Sequence, residues 1–228
     1  MSTTTQTAMA SLVASLADNK AALGRRYADW AVSAPTLESA VAAAAMAQDE
    51  LGHARSTYPV LKALGTETDE VSGGNRRMAL LDEDLPDWNA FIAANLLVDG
   101  VLTTFVAACV GSSVEQMAAR AKKILQEEGS HRVHGEAWAK RLCRGEQRDA
   151  FVARLDETWA EASRWLGPDD DPAYAAALEA GEVRQTAAHQ RELIRAWLTG
   201  ILATEGASVE LPDPTDFSAW DPERRRLS

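Results

Sequence analysis

The chain has 228 residues, of which 46% are hydrophobic and 25% charged, and it carries a formal net charge of -11. These values are typical of a soluble globular protein, and the acidic balance argues against nucleic acid or an anionic membrane as a partner, because both require a basic surface. The N-terminus lacks the features of a signal peptide, and no apolar run approaches the length of a membrane span. Cys109 and Cys143 are too few for a disulfide framework. The sequence therefore predicts a cytoplasmic protein.

The predicted elements are nearly all helices, because alanine is abundant and no segment alternates with the period of a strand. Taken in chain order, helices are expected over about 8–31, 36–64, 86–110 and 114–142, and the polar segment 65–77 between the second and third is expected to be a loop. Two or three more helices are expected between about 146 and 204. The tail contains several prolines and is expected to lie extended against the body or to be partly disordered.

This order of elements predicts an all-α fold, a ferritin-like up-down four-helix bundle with additional C-terminal helices. We expect one domain over residues 1–228, with a core bundle at about 8–143, C-terminal helices at about 146–206 and an extended tail at 207–228. The chain also contains a weak internal repeat, because "DELGH" in the second helix is echoed by "EEGSH" in the fourth. Each copy lies in the second helix of a helical hairpin.

The two repeated segments each contain a Glu-x-x-His unit, Glu50 with His53 and Glu128 with His131. Residues three apart on a helix share a face, so each pair presents a carboxylate and an imidazole together. This donor set suits iron or manganese, and two facing units can hold two ions in a bundle. One such unit alone would more often be a solvated patch, but two at matching positions indicate a metal site.

A buried carboxylate is predicted in the third helix at Asp99, the only charge in the run "LLVDGVLTTFVAACV". A lone buried carboxylate costs several kcal/mol unless it is paired or coordinated. Asp99 precedes Glu128 by 29 residues across the "GSS" turn, which places both at about the same height in antiparallel helices. Asp99 is therefore the expected ligand from the third helix.

The first helix offers no clear ligand. Reflecting Glu50 about the turn at Pro35 leads to residue 20, which is a lysine. The nearest acid, Asp18, is two positions away and therefore about 200° around the helix. The sixth position of the site stays open between Asp18 and Lys20.

Several polar residues lie close to the predicted ligands in sequence. His134 and Glu136 are expected either to hydrogen-bond to the ligand imidazoles or to belong to a solvated face. Asp49 and Glu127 point about 100° away from the ligand glutamates and are expected to be surface or interface charges. His189 has no acidic partner at helical spacing on its N-terminal side and is expected to be a surface or packing histidine.

The segments "APTL", "AQDELGHA", "LLVDGV" and "ILQEEGSHRVHGEA" resemble the catalytic subunit of the ring-1,2-phenylacetyl-CoA epoxidase complex, a ferritin-like multicomponent oxygenase. The segments "LADNKAALGRRYADW" and "AWLTGILATEGASVELP" look more like its non-catalytic partner subunit. In that partner the residues equivalent to Glu50 and His53 are replaced, so their presence here favours a metal-competent protein. Lys20 departs from the resemblance, because it stands where the catalytic subunit has its first-helix glutamate.

The resemblance implies a di-iron oxygenase component with iron held by Glu50, His53, Asp99, Glu128 and His131, of which Glu50 and Glu128 would be the catalytic carboxylates. The family resemblance implies two iron ions. The lysine at position 20 makes a site with one iron ion or none the alternative. A reductase would deliver electrons, and the substrate would be a CoA thioester or an aromatic small molecule. The alternatives are a non-catalytic subunit with a vestigial or altered site and an iron oxidase or storage protein. A homo-oligomer or a hetero-oligomer with a homologous helical subunit is expected.

Overall fold

The computed structural model describes residues 3–66 and 76–228, with side chains from residue 9 onward. Most of the loop predicted at residues 65–77 lies outside the described residues. Within the described ranges the fold is all-α apart from one small hairpin.

Four long helices form the bundle: α1 Thr3–Trp30, α2 Leu37–Ala63, α3 Trp88–Ala108 and α4 Glu115–Arg144. Two of their starts are fixed by side-chain caps. The hydroxyl of Thr36 accepts a hydrogen bond from the backbone N–H of Ser39 at 3.2 Å, and the carboxylate of Asp87 accepts one from Ala90 at 2.7 Å. These caps explain why α2 and α3 begin close to the residues that the sequence indicated.

Three shorter helices follow: α5 Arg148–Ala162, α6 Pro172–Glu179 and α7 Ala187–Ala203. Two single turns of 3-10 helix, Ala79–Leu81 and Ser163–Leu166, lie between larger elements. Helix α7 packs against α3 and α4, and α5 packs against the first part of α3. The prediction of an all-α ferritin-like bundle with C-terminal helices is confirmed.

The C-terminal tail packs on the body and ends in a small antiparallel hairpin, β1 Trp220–Asp221 and β2 Arg226–Leu227. The buried guanidinium of Arg225 donates to the carbonyl of Trp165 at 2.8 Å and to the carboxylate of Asp171 at 3.3 Å. The expectation of an extended tail against the body therefore holds. The hairpin itself was not predicted, because strands of two residues carry no periodic signal.

Helix α3 is the one described helix that is long and apolar enough to cross a membrane. In the fold, 78% of its most apolar window is buried by the surrounding helices. The apolar side chains of α3 thus already contact protein, as they do in the core helix of a soluble protein.

Two glycines allow the helices around the bundle centre to approach closely. A Cβ atom at Gly24 would lie 2.9 Å from Cγ of Leu51 and 3.1 Å from Cβ of Glu50, so α1 and α2 are in direct backbone contact there. A Cβ atom at Gly135 would lie 2.5 Å from Oδ1 of Asn95, so a side chain of α3 packs directly onto the backbone of α4 there. Both glycines lie about one turn from residues of the candidate site.

Candidate metal centre

The five residues predicted as metal ligands meet at the centre of the bundle. Glu50 and His53 come from α2, Asp99 from α3, and Glu128 and His131 from α4, and all five are buried. Four of them, Glu50, Asp99, Glu128 and His131, each bring one ligand atom within 4.8 Å of the others. This group could hold a metal ion, and its carboxylate and imidazole donors are compatible with iron.

The ammonium group of Lys20 lies among these carboxylates. Nζ donates to Glu50 Oε1 at 2.9 Å, to Asp99 Oδ1 at 2.8 Å and to Glu128 Oε1 at 2.6 Å. An ammonium has three N–H donors, so each donor has a carboxylate acceptor on a different helix. The Lys20 side chain is fully buried, and α1 thus contributes a cation to the centre.

Asp18, the other candidate from the first helix, takes no part in the centre. Its carboxylate accepts a hydrogen bond from the hydroxyl of Tyr58 at 2.7 Å and one from Nε of Arg76 at 2.9 Å. The alternative in which a local shift brings Asp18 into the site is therefore wrong. The register derived from Pro35 is right, because it leads to Lys20.

A change in helix geometry precedes Asp99. Residues Ala94–Val98 form a π-helical turn, and Asp99 is the first residue after it. Such turns insert one residue into the helix and rotate the side chains that follow, and they occur frequently at functional sites. No residue pattern predicts this turn, because its residues are ordinary helix and core residues.

Each histidine of the centre also contacts a carboxylate outside the group of predicted ligands. His53 Nε2 lies 2.9 Å from Oε2 of Glu127, and His131 Nε2 lies 3.4 Å from Oδ2 of Asp49. Such contacts fix the orientation of an imidazole. Asp49 and Glu127, expected to be surface or interface charges, are both partly exposed. Each of these residues directly precedes a ligand glutamate on a helix that faces the other hairpin. This position in the sequence could have indicated the contacts with the histidines.

Tyr27 is a further residue of the centre that the sequence analysis missed. Its hydroxyl donates to Asp99 Oδ2 at 3.3 Å and accepts from the amide of Asn95 at 3.3 Å. Its spacing of seven residues from Lys20 places both on one face of α1, which could have indicated the contact. Burial, together with the nearby carboxylates of Asp99 and Glu50, raises the pKa of Tyr27 well above its ordinary value, so the phenol is neutral.

The buried charges shift one another's pKa values strongly. Burial lowers the pKa of the Lys20 ammonium, but the carboxylates of Asp99, Glu128 and Glu50 outweigh it and hold that pKa well above its ordinary value. Burial raises the pKa of Asp99, but Lys20 and His131 hold it well below its usual range. Burial and the carboxylates of Asp99 and Glu128 raise the pKa of Glu50 to about 7, despite the opposing effect of Lys20.

The two histidines are held in the charged form. Burial lowers the pKa of His53, but its contacts with Glu128 and Glu50 outweigh this and raise the pKa to about 10. The pKa of His131 rises to about 9, because its hydrogen bond with Asp99 likewise outweighs burial. Three cationic groups, Lys20, His53 and His131, therefore lie among the buried carboxyl groups of Glu50, Asp99 and Glu128.

The remaining residues singled out in the sequence lie around the centre. His134 is half-buried against Trp88 and Phe91, and burial together with the nearby His131 lowers its pKa to about 4. Neither ring nitrogen of His134 has a hydrogen-bond partner among the described residues, so it does not support a ligand imidazole. Glu136 accepts hydrogen bonds from Arg132 and Trp197, and His189 is exposed, as expected.

The sequence profile of the phenylacetic acid catabolic protein family matches residues 1–226. The chain belongs to this family. A search of curated protein sequences finds no match. Membership supports involvement in phenylacetate catabolism and confirms the family that the sequence motifs indicated.

A cavity of about 400 Å³ reaches the charged centre of this phenylacetic acid catabolic protein from the side of α7. Asp99, Glu128 and His131 contribute to its wall, together with Arg132 and Trp197. Most of the remaining lining is apolar or hydroxyl-bearing, from α3, α4 and α7. The cavity therefore borders the centre at Asp99, Glu128 and His131.

The fit of iron to this centre depends on Lys20. Carboxylate-bridged two-metal sites in helical bundles take an acidic ligand from each of four helices, and the first helix here supplies a cation instead. An ion bound to the same three carboxylate oxygens would have to occupy the space that Lys20 Nζ takes. A two-iron centre does not fit this arrangement, and a single ion fits only where the ammonium leaves.

Proposed function

We propose that this phenylacetic acid catabolic protein is a structural, non-catalytic subunit of an oxygenase assembly, in which a homologous helical subunit carries the metal. The observation that supports the proposal is the position of Lys20 Nζ, within 2.6–2.9 Å of Glu50, Asp99 and Glu128. An oxygenase centre of this class needs open coordination positions for dioxygen, which the metal would activate. Here an ammonium donates a hydrogen bond to one oxygen of each carboxylate that would bind the metal.

A large homologous partner is supported by exposed apolar side chains on α2 and α4. Leu37, Val41 and Val133 are 77%, 62% and 68% exposed. The hydrogen bond from Trp138 to Ser39 and the contact between His131 and Asp49 show that α2 and α4 run side by side along the segments that carry Val41 and Val133. Exposed apolar patches of this kind mark protein interfaces.

The test is reconstitution with a metal-binding homologue of the same family and with a reductase. The isolated chain, purified after growth with ferrous iron, is expected to hold less than about 0.2 iron per chain, since the Lys20 ammonium already occupies the space between the three carboxylates. Co-expression is expected to yield a heteromer that oxygenates phenylacetyl-CoA, whereas the isolated chain with the reductase does not. Failure to form a heteromer with any such homologue would contradict the proposal.

The second candidate is the metal-dependent oxygenase itself, acting on an aromatic small molecule or a CoA thioester with electrons from a reductase. Its support is that Glu50, Asp99, Glu128 and His131 converge, with His53 Nδ1 at 3.3 Å from Glu128, and that a cavity large enough for a small substrate borders this group. Two irons per isolated chain, together with product formation by that chain and a reductase, would decide for this candidate and against the structural role.

A further inference from the structure

The strongest unassigned feature of the molecule is the replacement of a metal by a side-chain cation. We propose that the Lys20 ammonium is the resident cation of this centre and that residue 20 alone determines whether the bundle holds an ammonium or metal ions. The inference takes one premise from the proposed structural role, namely that the native chain holds no metal. It goes beyond that role by assigning a latent two-metal site to the same residues.

The geometry of the ammonium is that of a group built into the fold. Its three acceptors come from α2, α3 and α4, so Lys20 connects all four helices of the bundle through one atom. The side chains of Lys20 and of its three partners are between 0% and 5% exposed. Burying an ammonium costs several kcal/mol unless the surrounding groups compensate its charge, and three carboxylates at hydrogen-bond distance do so.

Two buried polar atoms at the same centre remain without a hydrogen bond in the part of the chain that the structure describes. Oε2 of Glu50 and Nδ1 of His53 are buried and have no hydrogen-bond partner among the described residues. His53 Nδ1 lies 3.3 Å from Oε1 of Glu128, but without the geometry of a hydrogen bond. Buried polar atoms without partners are rare in folded proteins, and a metal ion is one of the groups that satisfies them. These atoms belong to the set that would complete a second ion's ligands.

Replacing Lys20 by glutamate would remove the positive charge from the centre, add a negative one, and leave more space between the carboxylates. The glutamate carboxylate is one bond shorter than the lysine ammonium, so it would stop short of Glu50, Asp99 and Glu128 and leave room for ions between them. The resulting set of four carboxylates and two histidines is that of two-metal helical bundles, with one acid from each of two helices and a Glu-x-x-His unit from each of the others.

The experiment compares the native chain with Lys20→Glu, Lys20→Met and the control Lys122→Glu. Lys122 lies on the exposed face of α4, so its replacement makes the same charge change without touching the centre. Each full-length protein is purified with chelator, incubated with Co²⁺ under anaerobic conditions and desalted. The readouts are cobalt per chain, the visible absorption of bound Co²⁺ and the Tm with and without the ion.

We expect Lys20→Glu to retain about two Co²⁺ per chain and to gain about 5 °C or more in Tm on metal addition. Lys20→Met, which frees the same five ligands without adding a sixth, is expected to retain about one. The native chain and Lys122→Glu should retain less than about 0.2 and show no change in Tm.

Three results would overturn the inference: stoichiometric cobalt in the native chain, no more cobalt in Lys20→Glu than in Lys122→Glu, or failure of both Lys20 variants to fold when metal is present. The last result would mean that a metal ion cannot replace the ammonium. None of these measurements depends on a partner subunit. Loss of heteromer formation would instead contradict the proposed structural role and leave the metal result unchanged, so the two failures are distinguishable.

Discussion

Lys20 Nζ lies 2.8 Å from Oδ1 of Asp99, and both groups are buried at the centre of the bundle, one on the first helix and one on the third. The same carboxylate also contacts His131 at 2.9 Å through its second oxygen. Asp99 therefore compensates two buried cations. Removing one partner of a buried ion pair is strongly destabilising, since the other charge remains without compensation and without water.

The first prediction follows from this contact. Asp99→Asn should lower the free energy of unfolding by about 3–5 kcal/mol, because the neutral amide cannot compensate the ammonium of Lys20 and the imidazolium of His131. Urea unfolding followed by circular dichroism measures the change. Glu157→Gln is the control: Glu157 pairs with Arg154 at 2.7 Å on the surface, so its loss should change stability by less than about 0.5 kcal/mol. Equal effects of the two substitutions would contradict the buried network.

The second prediction concerns the close approach of α1 and α2. Gly24→Ala should destabilise the protein, since its Cβ would lie 2.9 Å from Cγ of Leu51 and 3.1 Å from the backbone nitrogen of Leu51. The expected loss is about 1–3 kcal/mol, the usual cost of overpacking. Gly24 lies one turn beyond Lys20, so the displaced helix should also weaken the hydrogen bonds of the ammonium.

Gly52→Ala is the matched control, because it lies on α2 and a Cβ there would have no heavy atom within 4 Å. Alanine is preferred over glycine in a helix by about 1 kcal/mol, so this variant should be as stable as the native chain or more stable. Thermal unfolding of both variants in parallel gives the comparison. A stabilising Gly24→Ala would show that the two helices are not in the contact described.

Sequence reasoning reached much of this fold and part of its centre. The abundance of alanine, the lack of strand alternation and the turn residues between the helices predicted the bundle, and the spacing of Glu50, Glu128 and Asp99 predicted the convergence of three carboxylates. Each of these features is determined by residues on a single helix face or within a single turn. Local spacing of this kind is what a single sequence carries most directly.

The parts that escaped prediction depend on several helices at once. The turn geometry at Pro35 led to Lys20 but could not show that its ammonium meets all three carboxylates, because this depends on the distances between four helices. The contacts of Asp49 and Glu127 with the histidines depend in the same way on how α2 and α4 face each other. The π-helical turn before Asp99 has no residue pattern that separates it from an ordinary helix.

The third prediction concerns the two cysteines, both of which are free thiols. Burial raises the pKa of Cys109 to about 12, and burial also raises the pKa of Cys143 above its ordinary value. The thiolate is the reactive form of cysteine, so neither residue should react with Ellman's reagent at pH 8 in the native protein. Addition of denaturant should release two thiols per chain. A fast-reacting thiol in the native state would show that one of these helices is not packed as described.

The fourth prediction tests the surface shared by α2 and α4. Val41→Asp and Val133→Asp should each weaken the heteromer with a metal-binding homologue by about tenfold or more, because each places a charge in an apolar contact and leaves it without a partner. Both positions are exposed, so the stability of the isolated chain should change little. Val110→Asp is the control, since this valine is also partly exposed but lies beyond the end of α3. Dissociation constants measured for the three variants give the comparison. If all three bind with the affinity of the native chain, the partner must contact another face of the bundle.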